Sequence, residues 1–132
     1  MDFQETDEQT MIREMVRDFA ESVLPPTIEV RDKGQIAPTE EWKQFCAETG
    51  LQGITIAEEY NGMPVDDISE AIIIEELARV DASFSVFYGV HVGLCCKTIT
   101  LHGTDEQKQQ YLPQLANDKI GAYSLSEAGA GT

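Results

Sequence analysis

Apolar residues recur every three to four positions along most of this chain, the spacing of one face of an α-helix. Met11, Ile12, Met15, Val16, Phe19 and Val23 form the first such stripe and predict a helix over residues 7–24. Thr6, with Gln9 three residues on, has the form of a capping box. Pro25-Pro26 ends that helix, because proline lacks the amide that would continue it. A short helix is predicted over residues 27–33, stopped at Gly34. Pro38-Thr39 starts the next one, with Glu40 and Glu41 in the first turn, where the helix dipole favours acids. Trp42, Phe45 and Cys46 are its inner stripe, and Gly50 closes it.

The pattern then changes. Residues 54–57 read as a short extended run, and residues 58–64 as a turn-rich loop centred on Asn61-Gly62. Asp66 or Asp67 caps a further helix to Val80, with Ile68, Ile72, Ile73, Leu77 and Val80 facing inward. Ala82 to His102 is apolar on nearly all sides, which predicts a central, buried helix ended at Gly103. Thr104 with Gln107 repeats the capping-box form and opens a helix through Tyr111, which Pro113 breaks or restarts. Asn117-Asp118 is a turn. Residues 120–126 alternate like the start of a strand. The fold class expected is therefore all-α, a bundle of about six helices, with the first residues of a following β-domain. The division is residues 1–119 and residues 120–132. A lone strand is not stable, so its partners are expected in a further domain or another polypeptide.

Composition narrows the partners. The chain has 132 residues, 42% of them apolar, enough for one domain with a hydrophobic core. Its 9 basic against 24 acidic residues give a net charge of −15. That excludes the clustered basic charge that nucleic acid or an anionic membrane surface requires. Cys46, Cys95 and Cys96 lie in apolar helical surroundings and read as free, buried thiols of a reducing compartment. No Cys/His spacing suits a metal, and no secretory signal opens the chain. The apolar stretch around residues 82–96 is short for a membrane span.

Candidate chemistry is concentrated at the end. Tyr123-Ser-Leu-Ser-Glu-Ala-Gly-Ala-Gly-Thr132 joins an alternating run to a Gly-rich loop with hydroxyls at Ser124, Ser126 and Thr132. Such a segment lets a planar or phosphorylated ligand approach backbone amides closely, although spacing alone equally describes an inter-domain turn. Phe84, Val86, Phe87, Val90 and Leu94 would line an apolar pocket or simply fill the core. His91 and His102 pair with no nucleophile and read as satisfied helical histidines. Glu58-Glu59 reads as a solvated loop. Either Glu75 or Glu76 is expected to be buried against an arginine such as Arg79.

Six landmarks occur in order: Gly50-Leu-Gln-Gly53, Glu58-Glu-Tyr-Asn-Gly62, Glu76-Leu-Ala-Arg79, Gly103-Thr-Asp-Glu-Gln-Lys108, Tyr111-Leu-Pro113 and the run from Gly121 to Thr132. Together they resemble the N-terminal helical domain of the acyl-CoA dehydrogenase family, over almost the whole chain. The resemblance implies an FAD-dependent enzyme of fatty acid metabolism. It would oxidise acyl-CoA to trans-2-enoyl-CoA and pass electrons to an electron-transferring flavoprotein. It implies cofactor contacts from Tyr123, Leu125, Ser126, Gly131 and Thr132, and an acyl wall from Phe87, Val90, Leu94 and Thr132. It implies no catalytic residue in this chain, since the family's glutamate base belongs to a C-terminal domain. It also implies β- and C-terminal domains as partners, a homotetramer when complete, and a cytoplasmic or mitochondrial-matrix location. The chain by itself is expected to be inactive. Ala128 stands where the family has proline, which implies a looser loop, and Asn61 replaces a glycine. Two other readings stay open: a stand-alone helical binding or assembly module, and an oxidase or flavin monooxygenase on the same fold.

Overall fold

The computed structural model describes residues 4–129. Helix α1 spans Asp7–Val23. Its capping box is complete: the Gln9 amide donates to Thr6 Oγ1 at 3.1 Å, and the Thr6 amide donates to Gln9 Oε1 at 3.0 Å. Ile12, Val16, Phe19 and Ala20 are buried. Met11 and Met15, expected on that face, are exposed, Met11 at 63%. They sit to one side of the Ile12–Val16–Phe19 line, beyond the width of the helix pair that α1 makes with α4.

Helix α2 runs Pro25–Gly34, earlier than residues 27–33. Proline suits the first helical positions because its φ is already helical and its missing amide would be unpaired there. Pro25-Pro26 therefore ends α1 by starting α2. Gly34 stays inside the helix, and Gln35 takes the left-handed turn at φ 51°. Helix α3 spans Thr39–Thr49 and closes on Gly50 at φ 69°, with Trp42 and Phe45 buried. Cys46 is only half-buried.

Residues 54–57 do not form an extended run: residues 54–56 turn, and only Ala57 is extended. Leu51–Gly53 forms a 3₁₀ turn, and Ile54 follows in right-handed helical geometry. The short run has no strand to pair with. Its backbone is met locally instead: Ile56 N–H donates to Gly53 O, Met63 N–H to Gly53 O and Val65 N–H to Ile54 O, at 3.0–3.1 Å. Asn61 makes the left-handed turn at φ 64°.

Helix α4 spans Asp67–Val80 with Asp66 as its cap. Ile72, Ile73 and Leu77 point inward, but Ile68, in the first turn, is exposed. Helix α5 is continuous over Ala82–His102 and carries a π-helical stretch at Val90–Cys96. It is not buried on all sides. One third of its most apolar window, 33%, is inside the molecule, while Val86, Leu94 and Leu101 are exposed. It is long and apolar enough to cross a membrane by length and composition alone. Its inner face, through Phe84, Tyr88 and Val92, belongs to the core shared with α1, α3 and α4.

Helix α6 spans Asp105–Leu115, again with a complete capping box, at Thr104 and Gln107. Pro113 neither breaks nor restarts it. The helix continues through it without the bond that an amide there would make to the Gln109 carbonyl, and Leu112 and Leu115 bury on either side of it against Cys96 and Ile56. Residues 119–126 form no paired strand with any described residue. The described fold is all-α, as the pattern predicts.

Candidate functional site

The link after α6 is held by four polar contacts. Gln52 Nε2 donates to the carbonyls of Ala116 and Asn117, both at 2.8 Å. Trp42 Nε1 donates to Asp118 O at 3.2 Å. Gly121 N–H donates to His91 Nδ1 at 2.9 Å. The other His91 nitrogen, Nε2, lies 3.1 Å from Gln52 O. A peptide amide can only donate and a carbonyl can only accept, so Nδ1 is bare and the proton sits on Nε2. His91 is fully buried. Burial pushes its pKa below the ordinary 6.5, consistent with a neutral ring.

Gly121 is buried between His91 and Cys95. A Cβ there would lie 2.6 Å from Cys95 Sγ and 3.2 Å from His91 Nδ1. Gly121→Ala is therefore expected to push the chain off α5 and lengthen the amide–imidazole bond, costing about 2 kcal/mol. Thermal unfolding measures it. Cys95→Ala should recover part of the loss, because the sulfur is the nearest obstacle.

Beyond Gly121 the chain turns to solvent. Tyr123 and Leu125 are 40% and 76% exposed, and Ser124 and Ser126 are exposed as well. The amides of residues 123–126 make no hydrogen bond to another described residue. A row of free amides and two hydroxyls, tethered at one end, fits a planar, hydrogen-bonding group such as a flavin edge. Gly131 and Thr132 lie outside the described residues. The expected acyl wall is dispersed along α5. Phe87 is half-buried against Trp42, ring centroids 5.6 Å apart, and lines a groove with Ile28, Ile36 and Val86. Val90 is half-buried and Leu94 exposed.

The remaining charged groups are structural. Glu76, 1% exposed, accepts from Arg17 at 3.0 Å and from Arg79 at 2.6 Å, and also pairs with Arg13. Arg17, then Arg13 and Arg79, hold its carboxyl at about 2, against an ordinary 4.5. Arg31 is buried between Glu41 and Asp81, and Asp81 also caps α5. Glu58 and Glu59 are exposed on their turn. Among the described residues no three His, Cys, Asp or Glu side chains gather to hold a metal.

These shifts set a stability plateau. The unfolded chain protonates His91 near 6.5 and Glu76 near 4.5, before the folded chain does. Their contribution is whole above those values and is lost on acidification, for Glu76 down to about 2. Cys46 and Cys96 are pushed by burial from 9.0 to about 12, so the unfolded chain ionises first above 9.0 and stability falls there. The denaturant midpoint should be flat between about pH 6.5 and 9 and decline on both sides.

The profile of "Acyl-CoA dehydrogenase, N-terminal domain" matches residues 6–119. The chain belongs to the acyl-CoA dehydrogenase family. A short-chain-specific acyl-CoA dehydrogenase of Clostridium acetobutylicum is 43% identical over the whole chain, which spans 35% of that protein. An acyl-CoA dehydrogenase from Bacillus anthracis, complexed with FAD, superposes with TM-score 0.86 at 35% identity over 97% of this chain and 22% of its own. A chain from work on the electron transferring flavoprotein of Acidaminococcus fermentans superposes at 0.88 and 41% identity, over all of this chain and 35% of its own. The chain thus spans between about a fifth and a third of the length of these relatives.

Four of the six landmarks take clear structural roles here. Gly50 and Asn61 are left-handed turns, Glu76 and Arg79 form the α1–α4 ion cluster, and Thr104 is a cap. His91 and Gln52 were not legible as site residues. Their roles depend on a contact between residues 30 positions apart. The one local signal is a histidine placed on an otherwise apolar helix.

Proposed function

We propose that this chain is the N-terminal domain of an FAD-dependent acyl-CoA dehydrogenase, supplying one end of the flavin cradle and one wall of the acyl pocket. The observation that carries it is the anchored segment of residues 121–126, with its free amides, in a chain that belongs to this family. The match with an FAD-complexed relative supports it. Residues 120–132 then open a β-domain after the helical domain of residues 1–119.

Bound FAD would accept the hydride that leaves the β-carbon of an acyl thioester. The part of this chain is to bind and orient. Amides of Tyr123 and Leu125 and the Ser126 amide and hydroxyl would donate to the flavin edge, and Gly131 and Thr132 would close the loop. Preplaced donors need no reorganisation at the moment of reaction. Phe87, Val90 and Leu94 would exclude water from the acyl chain. The base that removes the α-proton comes from outside this chain. An electron-transferring flavoprotein takes the electrons, and the complete enzyme is a homotetramer of the cytoplasm or mitochondrial matrix. Neither nucleic acid nor membrane insertion enters this reading.

The test is to combine the chain with the complementary β- and C-terminal domains and follow acyl-CoA-dependent dye reduction. Activity that needs all parts supports the proposal. A folded, FAD-loaded assembly without activity would favour a non-catalytic binding module. Oxygen consumption replacing dye reduction would point to an oxidase or monooxygenase.

A further inference from the structure

We propose that His91 is a positioning residue of the flavin site: its Nε2–H tautomer locks the Gly121 amide and so fixes where residues 122–126 begin. This rests on the flavin reading above.

The geometry is specific. His91 Nε2 points to Gln52 O at 3.1 Å, with Cys96 Sγ 3.7 Å from the same nitrogen. Its Nδ1 meets Gly121 N–H at 2.9 Å. The edge of Trp42 closes on the ring, centroids 4.6 Å apart at 64°. The imidazole therefore has one rotamer and one proton position. Gln52 is a common support: its side chain holds Ala116 and Asn117, and its carbonyl holds His91. One residue thus anchors both ends of the link between α6 and the flavin segment.

Position along the chain gives the bond its importance. Gly121 carries the last amide held by a nitrogen or oxygen acceptor before the free amides of residues 123–126. Without it, the nearest remaining backbone hydrogen bond lies upstream, from Lys119 N–H to Gln114 O, and residues 120–126 can pivot there. The π-helical stretch contributes directly. It holds His91 and Cys95, four positions apart and both against Gly121, and such insertions are frequent at functional sites.

Two isosteric variants of the complete flavoprotein separate positioning from simple stabilisation. His91→Asn keeps an acceptor near the Nδ1 position and loses the donor to Gln52. His91→Gln keeps a donor near Nε2 and loses the acceptor for Gly121. Each removes one buried bond, so their thermal midpoints should fall alike. FAD affinity should not: His91→Gln is expected to weaken it about tenfold and shift the flavin absorbance, while His91→Asn stays within about threefold of wild type. Equal FAD affinity in the two variants would overturn the positioning role while leaving the flavin reading intact. A wild-type flavoprotein that binds no FAD would overturn both. Imidazole ¹⁵N NMR of wild type supplies an independent check should His91→Gln fail to fold. A proton on Nδ1 would overturn the proposal, and a bare Nδ1 supports it.

Discussion

Gly62→Ala should unfold the protein more readily than any other single-methyl addition at a described glycine. Its Cβ would lie 2.0 Å from Ile56 O and 2.4 Å from Ile56 C, both backbone atoms. No side-chain rotation relieves that contact. The turn must open, and with it go the bonds from Gly62 N–H to Ala57 O and from Met63 N–H to Gly53 O. The expected loss is about 4 kcal/mol, or roughly 15 °C in thermal midpoint. Gly89→Ala is the matching control. Gly89 lies in α5, and a Cβ there meets only Ile74 Cδ1 at 4.0 Å. In a helix the same methyl should stabilise by about 0.5–1 kcal/mol. Opposite signs for one chemical change follow from the backbone contact, and equal effects would contradict it.

Trp42→Ala carries the other large effect. Trp42 is fully buried and contacts four rings, those of Phe45, Phe87, Tyr88 and His91, at 4.6–6.5 Å. Truncation to alanine leaves a cavity at the junction of α3 and α5 and removes the donor to Asp118 O. The expected cost is about 4 kcal/mol. Trp42→Phe retains most of the apolar area, and Asp118 is exposed, so its carbonyl can turn to water. That variant should lose only about 1–2 kcal/mol. Equal losses would mean that the indole N–H, rather than packing, dominates the site. Flavin binding should weaken in Trp42→Ala as well, because the ring edge fixes His91.

The features legible in the sequence are those decided within a few residues. Thr6 and Thr104 cap because their partners lie three positions away. Gly50 and Asn61 turn because of their own backbone preferences. The inner stripe of α3 follows from helical spacing alone. What escaped depends on distant contacts. Met11, Met15 and Ile68 match the helical period, but the α1–α4 pair is too narrow to cover them. Residues 54–57 have strand composition and no strand to join. Pro113 predicts a break or restart, yet the helix runs through it while Leu112 and Leu115 bury. The open face of α5 reads as buried because composition cannot distinguish a core from an exposed apolar face. At the proposed site, the order of six landmarks points to the final segment, whereas the Gln52–His91–Gly121 chain that anchors it needed the fold. The expected burial of Glu75 or Glu76 against Arg79 falls to Glu76, with Arg13 and Arg17 joining from the neighbouring helix.

The central claim is that this chain helps a flavin take a hydride from an acyl thioester. Anaerobic mixing of the FAD-loaded complete protein with acyl-CoA tests it most directly, by following flavin absorbance and enoyl-CoA formed. The account predicts that the flavin bleaches and that one enoyl-CoA appears for each flavin reduced. A bound flavin that stays oxidised across acyl-CoAs of short to long chain would contradict it.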